Sequence, residues 1–453
     1  MHMQPPASAS PLRTARMVLL GIAILSLQPG KARAWGPMHS SITEAAFDAL
    51  PEWERGVLAE QRARLIEYDC MIPDFARAAS NRAKLGKYAV LPNGDPFTHE
   101  PHSRPHNYAQ MLHYVTQAVE QIRAGNADEA SRYAGCLLHF LEDCGSPAHS
   151  IPGDNQHGLM KDLIAVPEAY RDRPLHGLIE DGQMKLDLAG YKPRLLGTTP
   201  EEATFHLVER LHFAVRNARS QVIPILQGVF AKDQPAMDAG RRKAATVDAQ
   251  ISADALHTIL CIGKNRFDDA EKALLENVDV VALTPIEVIA QSYLPQNTFF
   301  SNPFFGYPTP NGILKDGTEK QPLALNVMEN GAVATRTFPR GLGLGTHSRV
   351  SYALPAKTFD RFECRVGLHA PLGTEGSVAF RIYADGEAVF DSGVMTGADA
   401  SRKITLPIWR VRELSFDVEA RGKSAPGKNY AVIAEPLLFK AKAAPKFDIP
   451  GVQ

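Results

Sequence analysis

Two pairs of residues in this 453-residue chain have types and spacing that suit metal chemistry. His139 and Asp143 are four apart, and so are His176 and Glu180, so on a helix each pair projects from one face about one turn apart. Either pair alone is ordinary, because an imidazole and a carboxylate at this spacing also form solvated ion pairs. The run from His139 through Gly145-Ser146-Pro147-Ala148-His149 adds a third imidazole just beyond a helix stop, where the chain can turn back toward the same pole. Imidazole and carboxylate without cysteine is the donor set of catalytic zinc sites with open positions. Such a metal centre lowers the pKa of bound water toward about 7 and clamps the attacking and leaving oxygens of a phosphate ester.

Helices must present these residues, and the sequence supplies them from Trp35 to about Val288. Met38, Ile42, Ala45, Ala46 and Ala49 make one apolar stripe, and Tyr108, Met111, Leu112, Val115, Val119 and Ile122 make another. Asn126 with Glu129 three residues on has the spacing of a capping box, opening a helix that carries His139 and Asp143. Pro174 suits the first turn of the next helix, and helical pattern recurs over about 200–227 and 239–264. From Leu294 to Thr318 proline, asparagine, glycine and aromatics replace this period. The period then becomes two: Val350, Tyr352, Leu354; Phe362, Cys364, Val366, Leu368; Val378, Phe380, Ile382; Leu414, Phe416, Val418, with Asp385-Gly386 as a turn. The fold class read from this is multidomain, an all-α helical bundle followed by a β-sandwich.

Composition narrows the function. With 44% hydrophobic and 22% charged residues the chain is globular, and a formal charge of −1 argues against a basic nucleic-acid coat. Arg13 and Arg16, an apolar run from Met17 to Leu27, and Ala32-Arg33-Ala34 have the form of a secretory signal, too short to span a bilayer. Cleavage after Ala34 makes the chain secreted or periplasmic. It also removes four cations and no acid, so an anionic substrate would need a locally positive site, which bound metal supplies. The new α-amino group on Trp35, with its own carbonyl and His39 four residues on, could itself chelate. Five cysteines match no zinc-knuckle or C-x-x-C spacing, and Cys136 and Cys144, eight apart on one helix, are too distant to pair.

Together, an amino-terminal Trp, an early His, the Pro73-Asp74 pair, H-x-x-x-D-x-x-x-P-x-H and H-x-x-x-E resemble the trinuclear zinc phospholipase C and single-strand nuclease superfamily, over about Trp35 to Glu180. The resemblance implies three zinc ions. The first would take Asp74, a downstream His, His139 and Asp143; the second His149, His176 and Glu180; the third the Trp35 amino group and carbonyl, His39, and Asp143 as the bridge. Asp74 would also be the catalytic base or orient the attacking water. The downstream His is assigned to His106, followed two residues later by Tyr108, with His102 in reserve and His99 in the same Pro-rich loop. If Asp74 and Asp143 reach one zinc, Cys70 and Cys144 come close, and a disulfide between them is expected. His113 is expected to be solvated, and His157, His206, His212 and His257 match no family position and are assigned to surface or core. The short Trp35 to His39 gap is nuclease-like, whereas Glu180 is phospholipase-like.

Residues Phe338 to Phe439, with Gly341-Leu342-Gly343-Leu344-Gly345-Thr346-His347 at their start, resemble the NPCBM carbohydrate-binding β-sandwich, with the glycines and His347 read as packing and turn residues. The expected layout is a signal peptide at 1–34, the α zinc phosphodiesterase domain at 35–290, a linker or irregular approach at 291–330, the NPCBM-like sandwich at 331–442 and a tail at 443–453. The expected function is a phosphodiester hydrolase of phospholipase C type, with a single-strand nuclease as the enzymatic alternative and a non-catalytic surface glycan-binding protein as the other. Expected partners are a phospholipid or other phosphodiester, a cell-surface or matrix glycan, and peripheral membrane; a stable nucleic-acid complex is expected only for the nuclease.

Amino-terminal sequencing of the exported protein should find Trp35 first. An α-amino group with a pKa of about 8 must lose its proton to bind zinc, and an amide cannot replace it. A form that retains Met1 to Ala34 should therefore hold one zinc fewer; full zinc content and activity in that form would refute the chelating terminus.

Overall fold

The computed structural model describes residues 36–76, 78–88, 106–150, 164–173, 175–180, 182–283, 285, 287–290, 308–316, 319–424 and 426–443. Helices of the first half are α1 Met38–Asp48, α2 Glu52–Val57, α3 Arg62–Glu67, α4 Ile72–Ala76, α5 Ala79–Leu85, α6 His106–Arg123, α7 Ala127–Gly145, α8 Leu175–Glu180, α9 Pro200–Ala231, α10 Gln234–Lys264 and α11 Asp269–Ala273. None is long and apolar enough to cross a membrane.

Local chemistry explains where the long helices start. The Asn126 side chain accepts from the Glu129 N–H and opens α7. The return bond of a capping box is absent, because Glu129 instead engages Lys87, Tyr88 and Arg132. Thr199 caps α9 in the same way, with Pro200 in the first turn. Helices α9 and α10 form a hairpin, and α10 packs against α1, α6 and α7 around a core that includes Met111, Tyr114, Leu137, Phe140, Leu141, Leu256 and Leu260. Gly135 brings α7 close to the 3-10 turn Asp69–Met71: a Cβ there would meet the Asp69 carbonyl carbon at 2.5 Å.

Among the described residues the last α-helix ends at Ala273, earlier than the pattern to Val288 implies, with only a 3-10 turn at Val280–Ala282 between it and Val288. The strands are β1 Asn277–Asp279, β2 Glu287–Ala290, β3 Thr309–Pro310, β4 Ile313–Lys315, β5 Glu319–Gln321, β6 Leu323–Glu329, β7 Ala332–Phe338, β8 Gly341–Leu344, β9 Ser348–Ala353, β10 Phe359–Leu368, β11 Ser377–Ala384, β12 Glu387–Asp391, β13 Met395–Thr396, β14 Arg402–Pro407, β15 Glu413–Ala420 and β16 Ala431–Lys440. Among the described residues two six-stranded antiparallel sheets form, ordered β14-β10-β16-β8-β3 with β1 beside β16, and β12-β11-β15-β9-β2 with β13 beside β11. The alternating residues named from the sequence fill the space between them. The glycines of β8 are strand residues under close approach, not turn residues: a Cβ on Gly343 would lie 2.3 Å from the Gly312 carbonyl oxygen.

The first turns of α9 join the halves. Phe205 enters the sandwich core 5.8 Å from the Phe359 ring, and Lys440 Nζ meets the buried Glu202 carboxylate at 2.5 Å. His206 stands beside them, and burial pulls its pKa down to about 4.

Because the folded pKa of His206 lies below the unfolded value near 6.5, its neutral form contributes stability in full above about pH 6.5. That contribution falls as pH drops toward about 4, by up to about 3 kcal/mol. Urea midpoints at pH 7.5 and 4.5 should differ less for His206→Gln than for the parent; equal pH dependence would show that His206 does not titrate this way.

Candidate metal centre

Helix α7 is the spine of the centre. His139, Glu142 and Asp143 leave its last two turns fully buried, and α1 faces them with His39 and Thr43. His39 Nδ1 lies 2.6 Å from Glu142 Oε2, and Thr43 donates its hydroxyl to Glu142 Oε1 at 2.8 Å. His139 Nδ1 lies 2.8 Å from the Cys70 carbonyl oxygen, which the close approach at Gly135 delivers. A carbonyl or carboxylate can only accept, so both histidines donate from Nδ1 and turn Nε2 toward the centre.

Asp143 receives both. Its Oδ1 is 3.4 Å from His39 Nε2 and its Oδ2 is 3.3 Å from His139 Nε2. The two imidazoles stack at 4.4 Å, and Asp74 Oδ1 lies 3.8 Å from His139 Nε2. Burial alone would lower the pKa of His39, but the hydrogen bonds it makes to the Asp143 and Glu142 carboxylates, with their charge, more than reverse this and hold it well above 6.5. Burial alone would raise Asp143, but the charge and hydrogen bonds of His139 and His39, with the charge of His149, hold it well below 3.8.

A second group forms where the chain turns after α7. His149 Nε2 is 3.4 Å from Glu180 Oε1, His176 Nε2 is 2.9 Å from Glu180 Oε2, and Ser146 donates to Glu180 Oε1 at 3.0 Å. Buried Arg241 fixes α8 from α10, donating from Nε to the Ile179 carbonyl at 2.9 Å and from Nη2 to the Leu178 carbonyl at 2.8 Å. A cation at this helix end also suits the helix dipole.

The donor sets fit a divalent metal. One atom each from His39, His139 and Asp143 lie within 4.8 Å of one another, as do atoms from His149, His176 and Glu180. All six donors are nitrogen or oxygen, the set that suits zinc with open positions. Trp35, His99 and His102 lie outside the described residues, as does the side chain of His106, the first residue of α6; residues 1–34, expected to be a signal peptide, lie outside them too.

Two expectations fail. Cys70 and Cys144 form no disulfide: all five cysteines are buried thiols, and Cys70 Sγ instead donates to the Ile66 carbonyl at 3.1 Å. His113 is partly buried against Tyr114 and Tyr133 rather than solvated. His257 is buried, as the core assignment expected, and there it meets Glu54 and Cys261. Sequence reasoning also missed Glu142, Thr43 and Arg241. Thr43 one turn after His39 was the available signal, whereas Gly240-Arg241-Arg242 gives none.

Residues 311–438 match the family model of the NPCBM/NEW2 domain. The match starts upstream of Phe338 and takes in β4 to β7, which the composition divides between linker and module. No curated protein matches the chain. Among solved structures, CBM51 from Clostridium perfringens GH95, in complex with methyl-galactose, is 26% identical with a TM-score of 0.29, covering 36% of this chain and 99% of its own. The Clostridium perfringens ZmpB structure with two CBM51 domains beside a catalytic domain is 22% identical with a TM-score of 0.29; 36% of this chain covers only 15% of it. The alpha toxin of Clostridium absonum is 11% identical with a TM-score of 0.31, over 91% of this chain and 96% of the toxin.

Glu142→Gln tests the outer layer of the centre. An amide is neutral, so the His39 N–H loses its charged acceptor, and the Thr43 hydroxyl must turn from donor to acceptor to keep a bond. Zinc affinity, measured by competition with a chelator, should fall about 10- to 100-fold with the fold intact; unchanged affinity would remove Glu142 from the site.

Proposed function

We propose that the chain is a zinc-dependent phosphodiester hydrolase of the phospholipase C type whose β half is a glycan-binding module. One observation carries the reading: Asp143 offers one oxygen to each of two imidazole nitrogens, at 3.4 and 3.3 Å. A carboxylate so disposed suits a bridge between two cations. In this reading His39, with the Trp35 terminus, serves one ion; His139, Asp74 and His106 serve a second; His149, His176 and Glu180 serve the third.

Zinc held there would supply the positive charge that polarises a phosphate ester and activates water. The residues of the chain do the rest. Asp74, with its side chain 5% exposed, faces His139, which suits a base that takes or directs the proton of attacking water. Glu142 and the Cys70 carbonyl keep the imidazoles from turning, so the donors are pre-organised. Three dications against Asp74, Asp143 and Glu180 leave net positive charge, which draws in a phosphate despite a near-neutral chain. A glycan-binding domain on a secreted hydrolase suits a substrate displayed at a cell surface, so phospholipid is the first substrate class, met by peripheral contact.

Asp143→Asn should lose about two equivalents of zinc and nearly all hydrolysis, whereas Glu180→Gln should lose about one; the sandwich should stay folded in both. Metal analysis of the purified proteins, assayed on phosphatidylcholine vesicles and on single-stranded DNA, makes the comparison. An Asp143→Asn protein with three zinc ions and near-normal turnover would rule out the bridge. Cleavage of DNA but not lipid by the parent would transfer the reading to the nuclease.

A further inference from the structure

Glu54 on α2 meets His257 and Cys261, one turn apart on α10, across 203 residues of sequence. Their exposures are 0%, 5% and 2%. His257 Nδ1 is 2.7 Å from Glu54 Oε1, and Cys261 Sγ is 3.7 Å from that nitrogen and 3.9 Å from that oxygen. Glu54 Oε2 is buried with no hydrogen-bond partner among the described residues. A buried carboxylate oxygen left in that state is costly, and it calls for an unseen partner.

From this geometry we propose that Glu54, His257 and Cys261 bind a divalent ion of the zinc class at a site separate from the centre on α7. An ion at about 2.0 Å from nitrogen and oxygen and about 2.3 Å from sulfur spaces tetrahedral donors roughly 3.3–3.6 Å apart. The present triangle therefore needs about half an ångström of opening between Glu54 and His257. Cys261 Sγ is also 3.7 Å from His257 Nε2, so the sulfur lies over the ring, and the ring must tilt to aim Nδ1 at the ion. Glu271 Oε2, 3.4 Å from Nε2, then accepts the remaining ring proton, the outer contact that metal-bound histidines commonly make. Coordination replaces the thiol proton of Cys261 and the Nδ1 proton that His257 shares with Glu54, and both pass to solvent.

An imidazolium between two carboxylates, with the Cys261 thiol donating weakly to Glu54 Oε1 at 3.9 Å, explains Oε1, Glu271 and the thiol but not Glu54 Oε2, which a small turn of the carboxylate brings to the ion. The three donors line a cavity of about 730 Å³ with Trp53, Tyr191, Arg266 and Phe267. Three protein donors and a fourth position toward that cavity is the form of a site that also takes an outside ligand.

Cobalt(II) tests the proposal, because the centre on α7 has no sulfur donor and a sulfur-to-cobalt charge-transfer band reports only a thiolate site. The purified full chain, stripped by chelator and titrated with cobalt chloride to saturation, should gain that band with the intensity of one thiolate-bound cobalt per chain. Cys261→Ser should lose the band and one bound metal while keeping its circular dichroism. Glu54→Gln, which retains the thiol, should bind that cobalt at least tenfold more weakly, and serves alone if Cys261→Ser does not fold. No band at saturating cobalt in the folded parent, a band that survives Cys261→Ser, or undiminished affinity in Glu54→Gln would each overturn the site.

Discussion

Two adjacent carboxylates, Glu142 and Asp143, are buried side by side with no solvent exposure, and the rest of the helical half is arranged around keeping them there. Neighbouring residues on a helix point about 100° apart, so the two acids need partners from different directions. Glu142 takes Thr43 and His39 from α1, and Asp143 takes His139 from its own helix together with the far nitrogen of His39. His39 is therefore shared, one ring nitrogen per acid. Removing either partner of such a buried charged set leaves an uncompensated charge, which costs far more than an exposed ion pair contributes.

This constraint passes outward through the packing. Helix α1 must lie against α7 at the height of its last two turns, and the absence of a side chain at Gly135 lets the Asp69–Met71 turn bring a carbonyl to His139. Asp69 is fixed in turn by Ser131 at 2.5 Å and Arg64 at 3.0 Å. On the other flank Arg241 occupies the carbonyl end of α8 and so sets the height of Glu180. The polar pole is thus as tightly specified as the apolar core beneath it.

What could be read from the sequence follows the range of the interaction. His139 with Asp143 and His176 with Glu180 were legible because helix period alone puts them together, and His149 because Gly145 to Pro147 forces a turn. Asp74 carried no local signal and was found only through resemblance. Glu142 and Arg241 act on partners 103 and 62 residues away, a distance that no period encodes; the meeting of Glu54 with His257 escaped for the same reason. In the sandwich β9, β10, β11 and β15 alternate because one face of each is apolar. Strand β16 does not: Ala431, Val432, Ile433 and Ala434 are all buried, so its run is apolar on both faces and period two disappears.

Helix α9 has one further consequence. Near its start Phe205 belongs to the sandwich core, and near its end Val222, Ile225, Leu226 and Val229 pack with Leu175 and Ile179 of the segment that carries His176 and Glu180. A helix of 32 residues spans about 48 Å, and although Pro224 removes one rung of its ladder, packing anchors it on both sides of that gap. The shared helix is therefore expected to couple the stability of the two halves. Ions bound at the pole would raise the protection of sandwich amides against hydrogen exchange without touching them.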